Sequence, residues 1–92
     1  MAMIGKRKSA FIETEVDDEV VIVSLDRGQF FSLSGTGLEV WRKLDGSRSR
    51  DQVLDEIAAE YGVGRETIAG DVDAFLSEVE AAGFLEIFPD GL

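Results

Sequence analysis

Hydrophobic positions first alternate along the chain and then fall at helical spacing, the change coming near Leu38. Phe11 to Val16 begins apolar and then alternates, which predicts a first strand. Asp17, Asp18 and Glu19 form a polar turn before the β-branched run Val20, Val21, Ile22 and Val23, which predicts a second. Asp26, Arg27 and Gly28 make a short connection with glycine last, where a three-residue hairpin loop requires positive φ, and Gln29 to Leu33 returns as a third strand. That loop length sets Leu25 opposite Gln29, Val23 opposite Phe31 and Val21 opposite Leu33. It gathers Val21, Val23, Leu25, Phe31 and Leu33 on the core face. Val20, Ile22 and Phe30 then lie on the other face, which is apolar enough to need cover from the first strand, a helix or a partner.

Leu38, Trp41 and Leu44 stand at i, i+3 and i+6, with Thr36 and Glu39 spaced as a capping box, so a first helix is expected there and ends at Asp45-Gly46. A second box, Ser49 with Gln52, opens a helix whose stripe is Val53, Leu54, Ile57, Ala58 and Tyr61, and Gly62 is its C-terminal stop. A third helix is predicted from about Arg65 to Ala82 with Ile68, Val72, Phe75, Leu76 and Val79 on one side, closed by Gly83. Phe84, Leu85 and Ile87 form a short extended tail, and Pro89, Asp90 and Gly91 mark the end of the ordered chain. The expected architecture is α+β, a winged-helix-like single domain over 1–92, ordered from about 10 to 88, with a three-stranded antiparallel sheet followed by three helices.

Charge then narrows the function. The net charge is −10, and after Arg65 the charged residues are all acids: Glu66, Asp71, Asp73, Glu78, Glu80, Glu86 and Asp90. The last helix of a DNA-binding winged helix carries the cations that displace counterions from phosphate, and an acidic one gains no affinity that way. Nucleic acid and anionic membranes are excluded as partners, and a protein or peptide is favoured. Lys6, Arg7 and Lys8 read as a solvated, frayed tail. They precede no apolar signal segment, no run is long enough to span a membrane, and cytoplasmic residence is the expectation.

Chemistry is limited by what is missing. The chain has no histidine and no cysteine, so the commonest general base, the soft metal ligands and the thiolate nucleophile are absent together. Asp71 with Glu78, or Asp73 with Glu80, would share a helix face as carboxylate pairs, but charged residues on a solvated surface account for them. The run Asp17 to Glu19 lacks the spacing of a calcium loop. Gly35-Thr36-Gly37 lacks the further glycines and the lysine of a phosphate-binding loop. No enzyme, cofactor or metal site is predicted.

Taken in order, Gly28-Gln29-Phe30-Phe31-Ser32-Leu33-Ser34, Thr36-Gly37, Val40-Trp41, Leu44-Asp45-Gly46, Val53 to Ile57, Tyr61-Gly62-Val63, Asp71-Val72, Phe75-Leu76 and Gly83-Phe84-Leu85 resemble the PqqD-like family. These are recognition elements for the leaders of ribosomally synthesised, modified peptides. The resemblance covers nearly the whole chain. It departs at Ser34, where the family often has Asn, and at Gly64, where it often has Asp; both residues can still begin a helix.

The resemblance implies a non-catalytic protein in which a precursor leader adds as a strand beside the third strand, in the cleft between it and the third helix. On this sequence the peptide-binding residues would be Gln29, Phe30, Phe31, Ser32 and Leu33 on the edge and Asp71, Val72, Phe75, Leu76 and Val79 on the wall. Asp71 and Glu78 would meet a basic residue of the leader. The small free-standing form is most similar to leader-binding proteins of lasso-peptide pathways, whose partner is a leader-cleaving peptidase. The alternative is a peptide chaperone for a radical enzyme in pyrroloquinoline quinone biosynthesis, and a DNA-binding regulator is a weaker rival. An uncovered third strand also predicts self-association through that edge.

Overall fold

The computed structural model describes residues 2–88. Its elements are β1 (Met3–Lys6), a 3-10 turn (Lys8–Ala10), β2 (Phe11–Val16), β3 (Glu19–Ser24), β4 (Phe30–Leu33), α1 (Gly35–Arg42), α2 (Arg50–Tyr61), α3 (Arg65–Ala81) and β5 (Leu85–Phe88). Strands β2, β3 and β4 form an antiparallel sheet in that order, and β1 pairs with β5 in a separate two-stranded ladder. The α+β, winged-helix-like architecture is thus the one expected, with an additional ribbon. The expected end of order at Pro89, Asp90 and Gly91 lies outside the described residues.

The β3–β4 register differs from the expected one by a residue. Val20 lies opposite Leu33, Ile22 opposite Phe31 and Val23 opposite Phe30. The cause is the hairpin loop, which has four residues, Leu25 to Gly28. The Ser24 amide donates to the Gln29 carbonyl at 2.7 Å, the Gly28 amide returns to the Ser24 carbonyl at 3.0 Å, and Gly28 takes φ +68°. Ser24 also accepts the Arg27 amide on its hydroxyl at 3.3 Å, so Ser24 rather than Leu25 closes the turn. Because strand side chains alternate, the slip exchanges the faces. Val20 and Ile22 are buried, Val21 and Val23 are half-buried on the outer face, and Leu25 and Phe30 are exposed. The cover that Val20 and Ile22 require is the helical layer of the same chain.

The N-terminus is also a strand rather than a frayed tail. Met3 to Lys6 pairs with Phe88 to Leu85, and on its other side the Ile4 amide donates to the Arg48 carbonyl while the Gly46 amide donates to the Ile4 carbonyl, each at 2.9 Å. Gly5 permits this close packing, since a Cβ there would stand 2.7 Å from the Phe88 ring. Lys6 lays its ammonium 5.1 Å from the Trp41 ring centroid. Burial lowers its pKa, with Glu13 opposing that shift.

Among the helices, α2 begins as predicted: the Gln52 amide donates to the Ser49 hydroxyl at 3.2 Å and the Ser49 amide donates to the Gln52 side chain at 2.8 Å. Gly62 closes it in the left-handed conformation. Helix α1 starts earlier than its periodicity suggests, at Gly35 with Ser34 as N-cap, so Thr36 and Glu39 do not form its entry box. The core joins both layers through a set of edge-to-face rings. Phe11 meets Trp41 and Phe84 at 5.2 Å each, and Phe31 meets Phe84 at 5.4 Å. This cluster fixes where β4 sits relative to the segment leaving α3.

A cleft between an open strand and an acidic helix

Phe31 and Leu33 on β4 face Phe75, Glu78 and Val79 on α3 and Ala82 at its C-cap across an apolar cleft with Ile22 and Phe84 at its base. The base is closely packed: Ile22 and Phe84 are fully buried and Phe84 is held between Phe11, Phe31 and Trp41. Toward the β3–β4 loop the cleft continues between Arg27, Gln29 and Phe31 on one side and Glu78, Ala81 and Ala82 on the other.

Among the described residues, strand β4 has no partner on this side. In an antiparallel ladder, hydrogen-bonded and non-bonded pairs alternate, and the bond from Ser24 to Gln29 sets the phase. Ile22 with Phe31 and Val20 with Leu33 therefore exchange their hydrogen bonds, while Phe30 and Ser32 turn their amides and carbonyls outward. The opposite edge differs. By the same alternation, with the Leu25 amide donating to the Ala10 carbonyl at 3.0 Å, β2 turns the amides and carbonyls of Phe11, Glu13 and Glu15 outward, and the Glu15 side chain is paired with Arg42 at 2.8 Å. Charged side chains blunt an edge against pairing, and β4 has none over Phe30–Leu33.

The electrostatics are one-sided. Arg65 is taken up by Asp51 and Asp55 at 3.1 Å each, and Arg50 pairs with Asp73. Beyond Arg65, the charged residues of α3 are acids, and Glu78 stands on the cleft wall without an ion-pair partner among the described residues. Among those residues no group of three or more His, Cys, Asp or Glu is placed to hold a metal ion.

The residues expected at the site fall into three sets. Phe31, Leu33, Phe75 and Val79 line the cleft and Gln29 stands at its mouth. Phe30 and Ser32 contribute the outward backbone of the edge, but their side chains lie on the outer sheet face; Phe30 is 73% exposed and the Ser32 hydroxyl donates to Glu19 at 3.2 Å. Val72 is core, Leu76 is buried on the side of α3 that faces Ile4 and Leu85, and Asp71 is exposed outside the lining. Ile22, Ala82 and Phe84 were not anticipated. The position of Phe84 just past the Gly83 helix stop is the signal that it turns back under α3.

Residues 19–85 match the family described as Coenzyme PQQ synthesis protein D (PqqD). A PqqA binding protein from Gluconobacter oxydans (strain 621H) is 41% identical over 49 residues, which are 53% of this chain and 51% of that protein. The chain thus spans about half the length of the curated relative it matches. A solved structure, TbiB1 in complex with the TbiA(beta) leader peptide, is similar with a TM-score of 0.74 and 34% identity, covering 84% of this chain and 90% of that one.

Proposed function

The chain belongs to the PqqD family, and from that premise we propose that it binds the leader of a ribosomally made precursor peptide as an added strand on β4 and presents it to a processing enzyme. The observation that carries this reading is the conjunction of the uncharged open edge at Phe30 and Ser32 with the apolar cleft directly beneath it. Backbone bonding to the edge supplies affinity that tolerates sequence change, and alternate side chains entering the cleft supply selection. The relatives support a peptide ligand, one being a PqqA binding protein and the other a protein in complex with a leader peptide. Glu78, on the cleft wall, would meet a lysine or arginine of the peptide, a rim contact of about 0.2–1 kcal/mol.

The protein acts as a carrier without chemistry of its own, resident in the cytoplasm, and its partner is a leader-cleaving peptidase of the lasso-peptide type. The likeness to TbiB1 over most of both chains supports leader binding. Identity with the PqqA binding protein favours a second reading, a peptide chaperone for a radical enzyme in pyrroloquinoline quinone synthesis. Calorimetric titration with the TbiA(beta) leader, with PqqA and with scrambled controls tests both. Saturable binding of the TbiA(beta) leader alone favours the first reading and of PqqA alone the second. Binding equal to the scrambled controls overturns both.

A further inference from the structure

We infer that Gly37 of α1 sets the width of the cleft by seating the ring of Phe75. This rests on the cleft being the leader site. Of the cleft's three rings, Phe31 and Phe84 meet each other edge to face, and Phe84 is locked further by Phe11 and Trp41. Phe75 belongs to no such contact among the described residues and is half-buried. It packs against the core, and one of its neighbours is bare backbone: a Cβ on Gly37 would stand 3.3 Å from both Cδ1 and Cε1 of the ring. The cleft therefore has a base of interlocked rings and, at Phe75, a wall ring outside that cluster that packs directly on residue 37, which has no side chain. A methyl group there displaces the ring by some tenths of an ångström, and because the same ring lines the cleft, the width of the cleft changes with it. Gly37 is a positioning residue, acting on the peptide through Phe75.

Backbone conformation does not require glycine at this position. Gly37 is absent from the residues with positive φ, whereas Gly35, two residues earlier, has φ +58°. Alanine has the higher helix propensity, which offsets the crowding at the ring, and a melting curve of Gly37→Ala recorded beside the titration separates loss of binding from loss of fold. Gly70→Ala is the matching control, since it makes the same exchange within α3 at a site with nothing within 4 Å of the new Cβ.

The experiment is a double-mutant cycle read by calorimetry with the TbiA(beta) leader and with PqqA, using wild type, Gly37→Ala, Phe75→Leu, the double variant and Gly70→Ala. For the peptide that the wild type binds, the expected result is an affinity lowered about fivefold or more by Gly37→Ala, as overpacking of a fitted site gives. Gly70→Ala leaves affinity unchanged, and Gly37→Ala has little effect once Phe75 is leucine. Unchanged affinity in Gly37→Ala, or the same loss in the Phe75→Leu background, overturns the inference while the leader reading stands. Failure of the wild type to bind either peptide overturns the leader reading, and this inference with it.

Discussion

Phe31 of β4 meets Phe84, the residue before β5, edge to face with ring centroids 5.4 Å apart and planes at 88°. One partner is fully buried and the other half-buried at the cleft, so the base of the cleft is also part of the core. Phe84→Ala should destabilise the fold by about 3–5 kcal/mol, as for other buried phenylalanines. Phe31→Ala should cost less than half of that. Urea unfolding of both variants checks this, and equal losses would contradict the division of roles between the rings.

The alternation of β4 makes proline a directional probe. Ser32→Pro removes an outward N–H that the ladder does not use, and an edge strand tolerates proline in that orientation. Phe31→Pro removes an N–H bonded to β3 and should unfold or strongly destabilise the domain. The expected result is a Ser32→Pro protein with a near-normal melting curve and at least tenfold weaker leader binding, the order expected when a strand loses a backbone bond and meets a ring. Tight binding by folded Ser32→Pro would place the peptide elsewhere.

Without peptide, the same edge should pair with itself at high concentration. Phe30, 73% exposed beside Val23 and across from Ile12 on the outer face, adds an apolar row that would continue across such a pair. Sedimentation velocity should show concentration-dependent dimer that leader peptide dissolves and that Phe30→Asp weakens. A strict monomer under all conditions would contradict it.

Asp45 gives the fold a pH dependence. Its carboxylate accepts the Ser47 hydroxyl at 2.7 Å and the Ser47 amide at 3.0 Å, and Arg48 donates to it at 2.7 Å. The Ser47 hydroxyl bond is the largest cause of a pKa lowered from 3.8 to about 2, with partial burial opposing it. A group whose folded pKa lies below its unfolded value stabilises the fold above the unfolded pKa, and that contribution fades as pH falls from about 4 to about 2. The site is half-exposed, so the effect is modest and screened by salt. Denaturation of Asp45→Asn between pH 2 and 6 should show a flatter acid limb than wild type; an identical limb would exclude this carboxylate as a source.

Much of the helical layer was legible because its signals are local. Ser49 with Gln52 and the stop at Gly62 bound α2 without reference to the rest of the fold. The hairpin was less so: a three-residue and a four-residue loop both end in a left-handed glycine, and only the bond between Ser24 and Gln29 distinguishes them. The pairing of β1 with β5 joins the two ends of the chain, and Met3 to Lys6 alone is too short to reveal it. At the cleft, periodicity alone presents the apolar stripe of α3 as one face. In the fold it divides, Phe75 and Val79 turning to β4 while Leu76 turns to Ile4 and Leu85. Periodicity finds such a stripe but does not say how two neighbours share it.

Strand addition at β4 is tested most directly by amide hydrogen exchange at single residues, with and without the TbiA(beta) leader or PqqA, whichever binds. The amides of Phe30 and Ser32, unbonded in the free protein, should become protected when peptide is present, while those of Phe31 and Leu33, already in the ladder, change little. Protection that leaves Phe30 and Ser32 exchanging at their free rates under saturating peptide would contradict the account.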